Sequence, residues 1–263
     1  EVAFAIPMVP LVLLIGLGMH MAWRSQDSGA LMKTLKVPAL IGIVLGVLVP
    51  LFFYGGASVL LVIGVVSAFW IMASSLIQPL RSWRRNKGSA GITRGVLGMS
   101  IAHFGVGLFV LGVAIVSSFS VEADRTLRPG EQVEVAGYEF RLRGLQNVQG
   151  PNYQAIEGII EVHRDGQFVA ELRPQKRTYL VQQSPMTEAS IDGDWNRDIF
   201  VALGDPLGDN AWSVRLQYKP MIRFIWLGAF IMALGGAIAA SDRRYRMKAS
   251  AKKPKVALSG EPA

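Results

Sequence analysis

Three histidines carry the ligand and proton chemistry of this 263-residue sequence, which contains no cysteine and therefore no thiol chemistry. His103 lies within a long apolar stretch, GMSIAHFGVGLFVLGVAIVSS, at positions 98–118. An imidazole in hydrocarbon costs free energy unless a hydrogen bond, a proton or a metal satisfies it. Residue chemistry alone leaves three roles open for His103: a ligand of haem iron or another metal, a hydrogen bond between packed helices, or a proton relay.

Small residues surround His103 along the same stretch: Gly95, Gly98, Ala102, Gly105 and Gly112. Small residues in membrane helices usually allow a neighbouring helix to approach closely. A flat ligand lying against the helix would need the same missing volume. The sequence does not decide between these two interpretations.

The other two histidines have simpler interpretations. His20 lies close to Trp23 and Arg24, so we expect an interfacial residue, about 7 Å nearer the cytoplasm than His103 and a poor second ligand. His163 belongs to the turn sequence HRDG, has no second histidine nearby, and is expected to be exposed. A six-coordinate haem at His103 would therefore need a ligand from outside this chain.

Five apolar segments of about twenty residues must position these side chains, at 3–22, 37–54, 58–78, 95–118 and 221–240. Each is long enough to cross a hydrocarbon layer about 30 Å thick. No basic region precedes the first segment, so we interpret it as a span rather than a signal peptide. The chain begins with Glu1, and we expect it to be part of a longer polypeptide or of a split subunit.

The net charge of +8 is concentrated on alternate connections between these spans and in the C-terminal tail. By the positive-inside rule, this pattern places those connections and the tail in the cytoplasm. The N-terminus and segment 119–220 then lie outside, which we expect to be the periplasmic side of a bacterial inner membrane. The basic tail lacks the interleaved aromatic residues of a nucleic-acid-binding segment, so no nucleic acid is expected as a partner.

Segment 119–220 contains about six stretches of partly alternating hydrophobicity, separated by turn sequences such as GPN and GDPLGDN. These patterns predict an antiparallel β domain, either a small barrel or a sandwich. The fold class is thus an α-helical transmembrane bundle of about five spans with an inserted extracytoplasmic β domain. We predict four transmembrane helices in 1–118, the β domain in 119–220, a fifth helix in 221–241 and a basic cytoplasmic tail in 242–263.

Several long strings resemble the late part of the CcmF/NrfE family of cytochrome c-type biogenesis haem lyases. They are GMSIAHFGVGLFVLGVAIVSSFSVEAD, GLQNVQGPNYQAIEGIIEV, LRPQKRTY, MTEASI, RDIFVALGDPLGDNAWSVRLQYKP and IRFIWLGAFIMALGGAIAASDRRYR. The resemblance implies that His103 is an axial ligand of a stably bound haem b, whose second ligand lies outside this chain. It also implies membrane lipid, a haem chaperone, apocytochrome c, other cytochrome c maturation subunits and the missing N-terminal part of the same protein as partners.

The chain departs from that family in what it lacks. The tryptophan-rich haem-handling segment, the paired external histidines and the upstream membrane ligand are absent from this sequence. We therefore expect this part alone not to complete the reaction, and its catalytic residues stay unknown. Two alternatives remain: a non-enzymatic membrane assembly subunit that recruits partners through its β domain, and a transporter, which the lack of intramembrane charge disfavours.

Overall fold

A computed structural model describes residues 2–21, 27–54, 58–85, 88, 92–181 and 183–242. The chain divides into two compact units. One consists of Glu1–Leu111 and Trp226–Ala263 and is helical in its described part. The other, Gly112–Ile225, contains all the described strands.

Six helices are described: α1 Val2–Gly18, α2 Ser28–Tyr54, α3 Val59–Ser75, α4 Ile77–Arg85, α5 Arg94–Phe119 and α6 Ile222–Ala240. Among the described residues, four stretches are long and apolar enough to span a membrane: Ser28–Phe52, Val59–Arg85, Arg94–Phe119 and Ile222–Ala240. The predicted membrane class is confirmed. The structure differs from the predicted five spans at the first, since α1 has 17 residues, or about 25 Å, and contains two prolines.

Glycines let the helices approach one another closely. On α5, Gly98, Gly105 and Gly112 follow one another at intervals of seven residues, and on α6 Gly228 and Gly235 do the same. A Cβ added to Gly105 would lie 2.7 Å from the Met232 nitrogen and 2.8 Å from the Gly228 carbonyl oxygen. The backbones of α5 and α6 are therefore in direct contact, as in small-residue membrane interfaces.

Helix α3 contacts three neighbours in the same way. The backbones of Gly42 and Gly46 on α2 lie against Val66, and a Cβ at Gly107 of α5 would lie 2.8 Å from the Ala68 carbonyl oxygen. The Trp70 indole N–H donates to the Leu13 carbonyl oxygen of α1 at 3.0 Å. Helix α3 is consequently the most buried of the membrane-capable stretches.

The β unit consists of two antiparallel sheets. The first contains, in spatial order, β1 Val121–Leu127, β10 Ala211–Pro220, β9 Arg197–Gly208 and β8 Ser190–Gly193. The second contains β2 Gln132–Val135, β3 Tyr138–Gln149, β4 Tyr153–Arg164, β6 Gln175–Tyr179 and β7 Pro185–Glu188, with β5 Gln167–Leu172 also pairing with β4. Of the two predicted architectures, the sandwich is the one present.

Alternate residues of the long strands form the core of this sandwich. Phe140 and Leu142 of β3 and Ile160 and Val162 of β4 come from one sheet and are at most 1% exposed. From the other sheet, β9 and β10 contribute Ile199, Val201, Leu203, Val214 and Leu216. The spacing of two residues follows from the alternation of side chains across a strand.

Candidate functional site

His103 lies in the first half of α5, where its side chain is bonded to its own helix. Its Nδ1 is 2.8 Å from the carbonyl oxygen of Met99, one turn earlier. A carbonyl oxygen only accepts hydrogen bonds, so Nδ1 carries the proton in the neutral ring. Nε2 is then left with its lone pair, in the tautomer that a histidine adopts as a metal ligand.

Gly98, Gly105 and Gly112 lie on a different side of α5 from His103, whereas Gly107, four residues after the histidine, lies on the same side. At about 100° per residue, Gly98, Gly105 and Gly112 are about 180–220° around the axis from the histidine. A Cβ at any of them would meet the backbone of α6, and one at Gly107 would meet α3. The N–H of Gly95 donates to Asp242 Oδ2 at 2.8 Å.

Helix packing is therefore the correct interpretation of the glycines at 98, 105, 107 and 112. The alternative, that they leave room for a flat ligand, is wrong at these positions, because backbone atoms of neighbouring helices already occupy the space. Only the donor chemistry of His103 itself fits a haem iron. Any planar group bound there must lie against the side of α5 that does not contact α6.

His20 follows the end of α1 and is held by α3. Its Nε2 lies 3.1 Å from the carbonyl oxygen of Ser74, so Nε2 is the protonated nitrogen. The imidazole is half-buried. Its predicted neighbours Trp23 and Arg24 lie outside the described residues, and its interfacial role stays a prediction.

Two buried serine hydroxyls were not singled out from the sequence. Ser74 Oγ on α3 and Ser100 Oγ on α5 are buried and have no hydrogen-bond partner among the described residues. Ser100 is three residues before His103, so the two share one side of α5. The sequence signal that could have identified them is a serine within an apolar span. They make this side of the bundle more polar than the hydropathy of its helices indicates.

In the β unit, His163 lies in β4 rather than within the turn that follows it. It pairs with Glu139 of β3, and its ring contacts that of Phe168 edge-on, with centroids 5.7 Å apart. His163 and Glu139 border an open depression together with Gln132, Arg141 and Gly166. Within the part of the chain that the structure describes, no three histidines, aspartates or glutamates are placed to hold a metal ion.

Glu157 is the one buried carboxylate of the β sandwich among the described residues. It accepts hydrogen bonds from Gln146 at 2.7 Å and Gln175 at 2.6 Å, and Arg173 lies 3.5 Å away. Burial alone would raise the pKa of Glu157, but the two hydrogen bonds and the charge of Arg173 together hold it below its ordinary value. A carboxylate satisfied in this way supports the fold and is poorly suited to proton transfer.

Comparison with known proteins connects both units to one group. Residues 118–220 match the family described as the CcmF C-terminal β-sandwich. The cytochrome c-type biogenesis protein CcmF of Pseudomonas fluorescens is 38% identical over 250 residues, which cover 94% of this chain and 38% of that protein. The CcmF protein of Escherichia coli is 37% identical, with 94% and 38% covered, and the NrfE protein of Haemophilus influenzae is 32% identical, with 75% and 29% covered.

The fold has a solved counterpart as well. A structure titled cytochrome c heme lyase CcmF superimposes with a TM-score of 0.75 at 21% identity, and the match covers 91% of this chain and 40% of that one. The chain spans about two fifths of the length of the CcmF relatives that it matches. It belongs to the CcmF family of cytochrome c-type biogenesis proteins and corresponds to their C-terminal portion.

Proposed function

We propose that this chain is the C-terminal part of a haem lyase subunit that attaches haem to apocytochrome c and holds a haem b in the membrane through His103. The observation that carries the proposal is the hydrogen bond from His103 Nδ1 to Met99, which leaves Nε2 unprotonated inside an apolar helix. Relatives named for cytochrome c biogenesis supply the chemical context. The second axial ligand comes from outside this chain.

The chain's own residues prepare the ligand. The bond to the Met99 carbonyl fixes both the tautomer and the orientation of the His103 ring. The residues next to it in the helix, Ala102 and Phe104, are apolar. A haem bound at this nitrogen would supply one-electron redox chemistry, which the reduction of substrate haem iron requires.

Location and partners follow from the same proposal. The protein is a multi-pass protein of the bacterial inner membrane, with the basic connections in the cytoplasm and the β sandwich in the periplasm. The sandwich then offers a docking surface to the haem chaperone, to apocytochrome c or to sister subunits. Val181 and Met186, which are 93% and 52% exposed, are apolar positions on its surface suited to such contacts.

Two histidine variants test the haem site. In the purified membrane complex, His103→Ala should abolish the reduced-minus-oxidised b-type absorbance band, and added imidazole should restore part of it. His20→Ala is the matched control, since it removes the other membrane histidine, and it should leave the band in place. An unchanged band in His103→Ala would contradict the proposed ligand.

A non-enzymatic assembly subunit remains the second candidate, favoured by the close glycine packing of α5 against α6. In that case the helices serve only to carry the β sandwich. His103→Ala would then leave both absorbance and cytochrome c maturation unchanged. Charged substitutions at Val181 and Met186 would instead abolish co-purification of the maturation partners.

A further inference from the structure

The turn between β8 and β9, residues 194–196, extends beyond the end of its sheet. The Asp194 N–H donates to the Arg197 carbonyl oxygen at 2.8 Å and closes the turn. Arg197 is the first residue of β9 and pairs with Pro220, the last residue of β10. The turn therefore projects past the point where β10 ends and the chain continues into α6.

Two bonds hold this turn against the first turn of α6. The Met221 N–H donates to the Asn196 carbonyl oxygen at 2.8 Å, with Met221 in the left-handed conformation at φ 54°. The Arg223 guanidinium donates to Asp198 Oδ1 at 3.1 Å, and that carboxylate is only 24% exposed. The position of the turn relative to the start of α6 is thus fixed by both backbone and side chain.

Trp195 lies at the tip of this fixed turn, and 65% of its surface is exposed. Its ring centroid is 6.4 Å from that of Phe224 on α6, which covers only part of the indole. The remaining surface is too large and apolar to face water without cost. Tryptophan combines an apolar ring with one N–H donor, the combination that is enriched where hydrocarbon meets lipid head groups.

Helix α6 carries further exposed side chains of the same kind. Arg223, Trp226 and Phe230 are spaced by three and four residues, so they share one side of the helix. Trp226 is 73% exposed and Phe230 is 67% exposed. An arginine at the start of such a surface, followed by aromatic residues, is the order expected for a helix that enters hydrocarbon from the head-group layer.

We propose that Trp195 inserts its indole into the interfacial layer of the lipid bilayer at the point where α6 enters the membrane. The occupant of this surface is lipid: the ring contacts the glycerol and upper acyl region, and Arg223 lies at the level of the phosphates. The argument uses α6 as a membrane span and does not depend on haem binding.

Spin labels on the β8–β9 turn and near the far end of β9 test the proposal. The chain has no cysteine of its own, so Trp195→Cys carries a single nitroxide label. Leu207→Cys is the matched control, because Leu207 is 58% exposed and lies near the far end of β9, the strand that follows the turn. At 3.3 Å per residue the two labels are about 35–40 Å apart along the chain.

With the protein in lipid nanodiscs, power saturation compares collisions with oxygen, which concentrates in the bilayer, and with a nickel chelate, which stays in water. The label at 195 should favour oxygen several-fold over the label at 207. Equal chelate access at both positions would overturn the proposal. So would a label at 195 that neither reagent reaches, since another protein segment would then cover the turn.

A second measurement decides the question without a label. Trp195→Phe keeps an aromatic ring, and five other tryptophans remain in the chain. The fluorescence that Trp195 contributes is the difference in intensity between the unsubstituted protein and Trp195→Phe, and this difference should be smaller in brominated than in unbrominated lipid. An equal difference in both lipids would place Trp195 away from lipid and overturn the proposal.

Discussion

Gly235 and Gly236 are neighbours on α6 with opposite surroundings, and they give a direct test of how the helices pack. A Cβ at Gly235 would lie 2.7 Å from the Gly98 carbonyl oxygen and 2.8 Å from the Ala102 Cα, both on α5. A Cβ at Gly236 would have no atom within 4 Å. Alanine at position 235 therefore fits only if α5 and α6 move apart, whereas alanine at position 236 fits without any movement of the helices.

The expected magnitude follows from these contacts. Backbone atoms cannot move aside as a flexible side chain would, and overpacking of this kind costs about 1–3 kcal/mol. Replacing glycine by alanine in a helix interior also contributes about 1 kcal/mol in favour of the helix. Both variants receive this second contribution, so it cancels in their comparison. Gly235→Ala should be less stable than Gly236→Ala by about 1–3 kcal/mol.

Thermal unfolding of the two purified variants in the same detergent, followed by circular dichroism at a helical wavelength, measures this difference. The protein without substitution should fall between them, because Gly236→Ala gains helix propensity without a clash. Equal midpoints for the two variants would refute the reasoning. They would mean that α5 and α6 are not in backbone contact at Gly235 in the membrane protein.

Three changes in the β sandwich have predicted effects that local amide hydrogen exchange in the whole protein can measure. Phe140→Ala should lower the free energy of unfolding by about 3–5 kcal/mol, because the ring is 1% exposed in the core. Tyr138→Phe should cost about 0.5–1.5 kcal/mol, because the Arg164 Nη1 donor at 3.0 Å loses its acceptor. The depressed pKa of Glu157 predicts stability that is complete above about pH 4.3 and declines as the pH falls through that lower pKa. Glu157→Gln should remove this decline.

The long strands of the sandwich could be predicted from the sequence, and the short strands could not. Strands β3, β4, β9 and β10 each bury every second residue over five or more consecutive positions, which is the pattern that predicted strands in this segment. Strand β7 has four exposed residues, and β1 buries only Ala123 and Leu127. An edge strand that buries so little leaves no alternation for a pattern to detect.

The ends of the helices were less predictable than their approximate positions, because a hydropathy pattern contains no information on the side chains that cap a helix. The second span was predicted to begin at 37, whereas α2 begins at Ser28. Asp27 accounts for this earlier start, since its Oδ1 accepts the Gly29 N–H at 2.9 Å and its carbonyl oxygen accepts the Leu31 N–H. Residues 28–36, the part of α2 that was not predicted, contain Lys33 and Lys36. These two charges lower the hydropathy of that part, so the predicted apolar span began after it.

Local sequence patterns also predicted only part of the candidate site. His103 was identifiable because one polar side chain in an apolar span needs a partner, but its hydrogen bond to Met99 follows only from helix geometry. The interval of seven residues in Gly98, Gly105 and Gly112 recurs in Gly228 and Gly235, and the sequence contained both patterns. Their correspondence required knowing that α5 and α6 are neighbours, which no local pattern specifies.

Helix α5 therefore performs two tasks on two sides, and the tasks should be separable. On one side, Gly98, Gly105 and Gly112 have no side chain, so the backbone of α6 lies directly against that of α5. The other side carries His103 and the buried hydroxyl of Ser100. The Met99 hydrogen bond lies within α5 itself and does not depend on the spacing to α6. Gly235→Ala should accordingly lower the stability of the protein yet leave the proposed haem absorbance per folded molecule unchanged. His103→Ala should remove that absorbance with little change in the unfolding midpoint of haem-free protein. A single variant that altered both quantities in proportion would show that helix packing and ligand placement are one structural feature.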